Sequence, residues 1–116
     1  MRAPSLDVDG LQVILAQGFL ARLLGLLGQR ALPLDHALLI TPCNNVHTFW
    51  MRFAIDVVFL DRYGVVLAIV PHVAPWRIAA AWRAHACLEL AAGGAARFGI
   101  AVGRHLPQLA AASLPR

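Results

Sequence analysis

Asp56 lies inside an otherwise apolar run, Ile55 to Leu60 (IDVVFL), where burying a carboxylate costs several kcal/mol unless it is paired or hydrogen-bonded. In a strand, alternation sets Asp56 on one face with Val58 and Leu60, opposite Ile55, Val57 and Phe59. It needs a partner, and Arg52 or His47 just upstream are the natural candidates. With such a partner Asp56 belongs to a polar pocket; without one it ties the start of its strand to backbone amides, and site geometry separates the two.

Other residues admit other chemistry. His85, Cys87 and Glu89 alternate along HACLEL, so imidazole, thiolate and carboxylate point one way, a weak zinc-like pattern without a fourth ligand at a fixed offset. Glu89 with Asp56 invites a two-carboxylate hydrolase, and Asp56 with His47 is the variant of it. Cys43, in TPCNNVHT beside Asn44, Asn45 and His47, permits a cysteine nucleophile, although Pro42 to Asn45 reads more plainly as a turn. Trp76-Arg77 sets an aromatic beside a guanidinium, a pair suited to stacking on a ligand. Trp50 and Met51 point to opposite faces, so at most one lines a given cleft. The pair Gly93-Gly94 before a short helix either offers amides to an anion or makes a tight turn. No phosphate loop, nucleophile elbow or cofactor motif accompanies these groups, and no cofactor is expected.

The elements that position them are mostly strands. Leu11 to Ala16 (LQVILA) reads as the first, and Phe19 to Gln29 changes to a helical period closed by Gly28. Ala37 to Thr41, Val46 to Phe53 and Ile55 to Leu60 follow as strands. Asp61-Arg62-Tyr63-Gly64 turns the chain into Val65 to Val70, the hairpin partner of the strand before it. Pro71 to Arg83, with two prolines and two tryptophans, shows no sustained period and reads as a long loop or irregular edge. His85 to Leu90 is a strand, Gly93-Gly94 opens a helix to Phe98, and a last strand is expected between Ile100 and Leu106. Residues 107–116 are expected to fray.

The segment Val46 to Asp61 (VHTFWMRFAIDVVFLD), the turn at Gly64 and the strand VVLAIV resemble the central signature of the domain of unknown function 192 family. GLLGQRAL (Gly25 to Leu32), ALLIT (Ala37 to Thr41) and LEL-x-AG (Leu88 to Gly93) resemble its flanking motifs in the same order, and the likeness covers Asp7 to Leu106. The resemblance implies a mainly β (α+β) fold, a compact antiparallel sandwich or barrel-like domain with two short helices, and no agreed activity. Ala54 stands where the family usually has proline, and Arg104 where an aspartate is common. Many relatives carry an export leader, which is not seen here, so a cytoplasmic location is expected.

The chain of 116 residues fits a single domain with a core over about 7–106. Hydrophobic residues make up 59% and charged residues 14%, which excludes disorder and leaves either a generous core or an exposed apolar patch. All ten basic residues other than histidine are arginine, and their scatter without a stripe argues against nucleic acid as partner. Leu11 to Gly28 is interrupted by Gln12, Gln17 and Arg22 and fits no transmembrane helix or signal peptide. Two distant cysteines leave the redox compartment open. These features point to a non-catalytic binding or accessory module, with a groove bordered by His47, Arg52, Asp56, Trp76 and Arg77 for a small ligand or protein segment. The hydrolase and a homodimer burying the apolar excess are the alternatives.

Overall fold

The computed structural model describes residues 5–16 and 32–114. The six residues of β5 (Ile55–Leu60) are all buried, as they must be in a strand with neighbours on both edges and cover on both faces. One edge pairs with β8 (Ala86–Ala91), the other with β6 (Val66–Val73), both antiparallel. The sheet continues from β8 through β3 (His36–Ile40) and β2 (Leu11–Ala16) to β1 (Ser5–Val8), giving the order β1-β2-β3-β8-β5-β6. Only β2 and β3 run parallel among these neighbours. A two-stranded antiparallel ribbon, β4 (Asn45–His47) with β7 (Ile78–Ala80), forms a second sheet.

Alternation divides the interior in two. Val58 and Leu60 join Leu88, Leu90, Val13, Leu15 and Leu39 on one face, where Ala95 of the short helix α1 (Gly94–Arg97), Ile100, Leu106 and Leu109 cover them. Ile55, Val57 and Phe59 join Cys87 and Ala91 on the other, beneath Val46 and Ala79 of the ribbon. The mainly β expectation holds, with the ribbon and the large sheet as the two layers. Among the described residues no helix is long and apolar enough to cross a membrane.

Several boundaries differ from expectation for local reasons. Val46 to Phe53 is not one long strand, because β4 ends at His47 and Trp50 takes a left-handed backbone (φ 70°) that no strand accommodates. Pro71 to Arg83 is not simply a loop: β6 runs on through Pro71 to Val73, and Ile78 to Ala80 pairs with β4. Proline is tolerated because β6 is the edge of its sheet. Ile100 to Leu106 forms no strand beyond a single bridge from His105 to Val65. The tail expected to fray makes short 3-10 turns at Pro107–Leu109 and Ala111–Ser113, since Leu109 has an apolar slot to fill. That segment crosses Gly64 so closely that a Cβ there would run into the Leu106 carbonyl oxygen, and Gly64 also holds φ 83°. The helix expected over Phe19 to Gln29 lies outside the described residues.

Candidate binding surface

Thr48 is fully buried, at the point where β4 leaves the ribbon. Its hydroxyl donates to the Ala74 carbonyl (2.6 Å) and accepts from the Arg77 amide (2.9 Å). Its backbone amide donates to the Arg77 carbonyl (2.9 Å), and its carbonyl accepts from the amides of Trp76 (3.0 Å) and Met51 (3.2 Å). One side chain and its peptide groups thus fasten the turn after β4 to the turn before β7. A buried hydroxyl with both roles satisfied repays its desolvation and fixes the two turns in register.

Those turns carry an aromatic group. His47 lies on Phe49 (centroids 4.9 Å apart, planes at 30°), Phe49 stacks on Trp76 (5.6 Å, 26°), and Trp50 meets Trp76 edge-on (4.6 Å, 63°). Met51 turns inward to the second core while Trp50 points out. Trp50 is 66% and Trp76 51% exposed, and both sit in the left-handed region (φ 70° and 65°). Each such residue costs about 1–3 kcal/mol and persists only where its surroundings impose it. Ile78 and Trp82, at 68% and 77% exposure, extend the apolar surface along the same ribbon.

Of the residues expected to border a groove, His47, Arg52, Trp76 and Arg77 belong to this region. Arg52 is exposed in the turn after Trp50. The Arg77 guanidinium reaches the carbonyl of its own neighbour Trp76 (3.2 Å). Asp56 does not join them. It is 1% exposed and shares a face with Leu90, its cross-strand partner in the first core, whereas the ribbon covers the second. Its Oδ1 accepts from the His72 amide (3.0 Å) and its Oδ2 from the Ala95 amide (3.0 Å). The carboxylate holds β6 where His72 adopts φ 51° beside a register shift, and it satisfies the start of α1. Neither Arg52 nor His47 is its partner. Next to the glycine pair read as an anion site, the Ala95 amide is met by this chain's own Asp56.

The remaining constellations are not assembled as expected. Glu89 lies opposite Val57, and Asp56 opposite Leu90, so the two carboxylates occupy opposite faces of the sheet and cannot flank one scissile bond. His47 faces outward on the ribbon, in a layer separate from Asp56. His85, Cys87 and Glu89 share a parity without converging: among the described residues no three His, Cys, Asp or Glu side chains gather as a metal group. Cys43 lies in an open cleft of about 220 Å³ with Pro42, Asn44, Ala84 and His85, and its Sγ donates to the Asn45 carbonyl (3.0 Å). Its neighbour there is His85, not His47. Arg104, at the position where relatives commonly have aspartate, donates to the Phe98 (2.7 Å) and Gly99 (3.0 Å) carbonyls at the end of α1 and pairs with Asp9 (2.8 Å). Its role in this chain is to close the helix.

Sequence reading missed Phe49 and Ile78 as members of the surface and Thr48 as the buried residue beneath it. A signal was present in the parity of Trp76, Ile78, Ala80 and Trp82, four alternate positions that a ribbon with one buried face turns outward together.

Among solved structures the chain is similar to a candidate transcription regulator from Sinorhizobium meliloti 1021, with 24% identity, a TM-score of 0.72, and coverage of 82% of this chain and 79% of that one. It is also similar to a protein of unknown function from Novosphingobium aromaticivorans DSM 12444, with 21% identity, a TM-score of 0.71, and coverage of 87% and 79%. At these identities the likeness shows the fold alone. None of the curated proteins compared with the chain matches it. The model of the DUF192 family, described as "Uncharacterized ACR", matches residues 4–108, nearly the whole length, and the chain belongs to that family.

Proposed function

We propose that the chain is a non-catalytic binding module whose working surface is the outer side of the β4–β7 ribbon. There His47, Phe49, Trp50 and Trp76 supply an apolar face, and Arg52 and Arg77 supply positive charge. The preferred ligand is an amphipathic anion, with an apolar body for the rings and a negative group for the guanidinium ions. The observation that carries this reading is that two tryptophans are more than half exposed yet fixed in left-handed backbone by the buried Thr48. A fold with no use for that surface gains nothing from rings in a conformation that glycine or asparagine takes at lower cost.

The test uses Trp50→Asn and Trp76→Asn, since asparagine tolerates a left-handed backbone. On this reading each variant changes stability by no more than about 1 kcal/mol, against the roughly 3–5 kcal/mol lost when a core aromatic is truncated. The native protein binds the aromatic sulfonate 8-anilinonaphthalene-1-sulfonate, and both variants lose that binding while keeping a cooperative unfolding transition. Dye binding unchanged in the variants, or absent from the native protein, refutes the assignment.

A further inference from the structure

We infer that the partner of this surface is the face of an anionic lipid bilayer, on which the ribbon lies flat; this rests on the reading of the ribbon as the working surface. All three tryptophans of the chain, Trp50, Trp76 and Trp82, are exposed, and all lie on the ribbon or the turns that flank it. Among the described residues the other large exposed apolar side chains, Leu34, Tyr63 and Val102, lie on separate turns elsewhere and need no partner. Tryptophan, with an apolar body and one N–H donor, is the side chain best matched to the boundary between hydrocarbon and headgroups.

Charge selects the lipid. Arg52, Arg77 and Arg83 are exposed in the same segments, and residues 41–55 and 62–88 contain no Asp or Glu. Among the described residues the guanidinium groups of Arg52 and Arg83 make no ion pair, and that of Arg77 meets only a neighbouring carbonyl. A surface of one sign beside exposed indoles complements the phosphates of acidic headgroups.

Shape and composition favour a bilayer over a stacked single-stranded nucleic acid. Ile78 and Ala80, between the two aromatic ends, offer no ring to a base. Phe49 and Trp76 already engage each other and their neighbours, so they present edges in place of free faces. Trp76 and Trp82 lie beyond the two ends of β7, so indole anchors flank the strand on both sides.

The experiment is flotation of the full chain with vesicles of phosphatidylcholine, alone or mixed with phosphatidylglycerol. We expect flotation with the mixed vesicles at low ionic strength, its loss as salt is raised, and quenching of tryptophan emission by lipids brominated on the acyl chains. Each of Arg52→Gln, Arg77→Gln and Arg83→Gln lowers partitioning about fivefold. Trp82→Ser, at a position too exposed to disturb the fold, lowers both partitioning and quenching. Failure to float with the mixed vesicles at low salt overturns the inference. So does flotation without acyl-chain quenching. Dye binding that depends on Trp50 and Trp76 without vesicle binding overturns the bilayer and leaves the working surface standing, with a single-stranded oligonucleotide titrated at the same salt as the next arm. A dimer abolished by Trp82→Ser in sedimentation equilibrium, without vesicle binding, replaces the bilayer with a second copy of this chain.

Discussion

β5 and β7 use the same alternation to opposite ends. In β5 both parities are buried, and the one charged residue, Asp56, is absorbed by two backbone amides. In β7 only Ala79 is buried, and the outward positions carry Ile78 and Ala80, with tryptophans just beyond each end. The large sheet thus hides a polar group that looks like chemistry, while the ribbon displays apolar groups that look like core. A buried carboxylate with an amide on each oxygen is already satisfied by the fold and shut away from the ribbon's surface. An exposed indole has free energy still to gain from a partner. Residue type alone leaves Asp56 open between a pocket and the scaffold, and burial with hydrogen-bond satisfaction decides it.

Asp56 carries the largest expected effect. Asp56→Ala orphans the His72 and Ala95 amides inside the first core and frees the bend of β6, and we expect a loss of about 3 kcal/mol in urea unfolding. Flotation and dye binding, corrected for the folded fraction, stay at native levels. A loss under 1 kcal/mol, or loss of dye binding from a folded variant, returns Asp56 to the working surface.

Thr48 tests whether the ribbon is a separable layer. Thr48→Val keeps the shape and removes the hydroxyl that joins the two turns, at a cost of about 2 kcal/mol. Because the lost bonds all lie between the turns, the near-ultraviolet circular dichroism of the tryptophans should decay earlier in urea than the far-ultraviolet signal of the sheet. Coincident transitions would show one cooperative unit instead. Either way vesicle partitioning falls, since the rings lose their fixed arrangement.

How much of this was legible in the sequence follows from what each signal depends on. β2 and β5 fall on their expected bounds because six-residue β-branched runs carry their own pattern. β3 and β8 lie one residue from expectation, within the usual blur of strand ends. The ribbon was hidden because its strands are three residues long and interrupted by tryptophans at positive φ, which no propensity foretells. Four of the five candidate ligand residues do lie in that region, because exposed turns rich in aromatics and arginine are recognisable by type. Of the two readings of Asp56, the tie to backbone amides is the one seen, but which amides was not legible, because they come from β6 and α1 and amides carry no residue letter. The separation of Asp56 from Glu89 depends on cross-strand register, and register is a property of pairing.

The smallest expected effect concerns acid. The Asp and Glu residues of this chain lie outside the ribbon and its turns. Asp35, at the entry to β3, accepts a hydrogen bond from His36 Nδ1 (2.8 Å). That bond, aided by the residue's own amide and by the imidazole charge, holds its carboxyl below the ordinary aspartate value of 3.8. Since the folded group binds its proton less readily than the unfolded one, its contribution is full above 3.8 and disappears as pH falls through the lowered value. Asp35 is fully exposed and solvent screens it, so the contribution is slight. The urea midpoints of the native chain and Asp35→Asn should therefore differ by a small constant amount near neutrality and converge on acidification. A gap that widens in acid reverses the sign assigned to this pair. A tryptophan signal that titrates with the same gap ties the ribbon to the entry of β3 and ends the independence of the two layers.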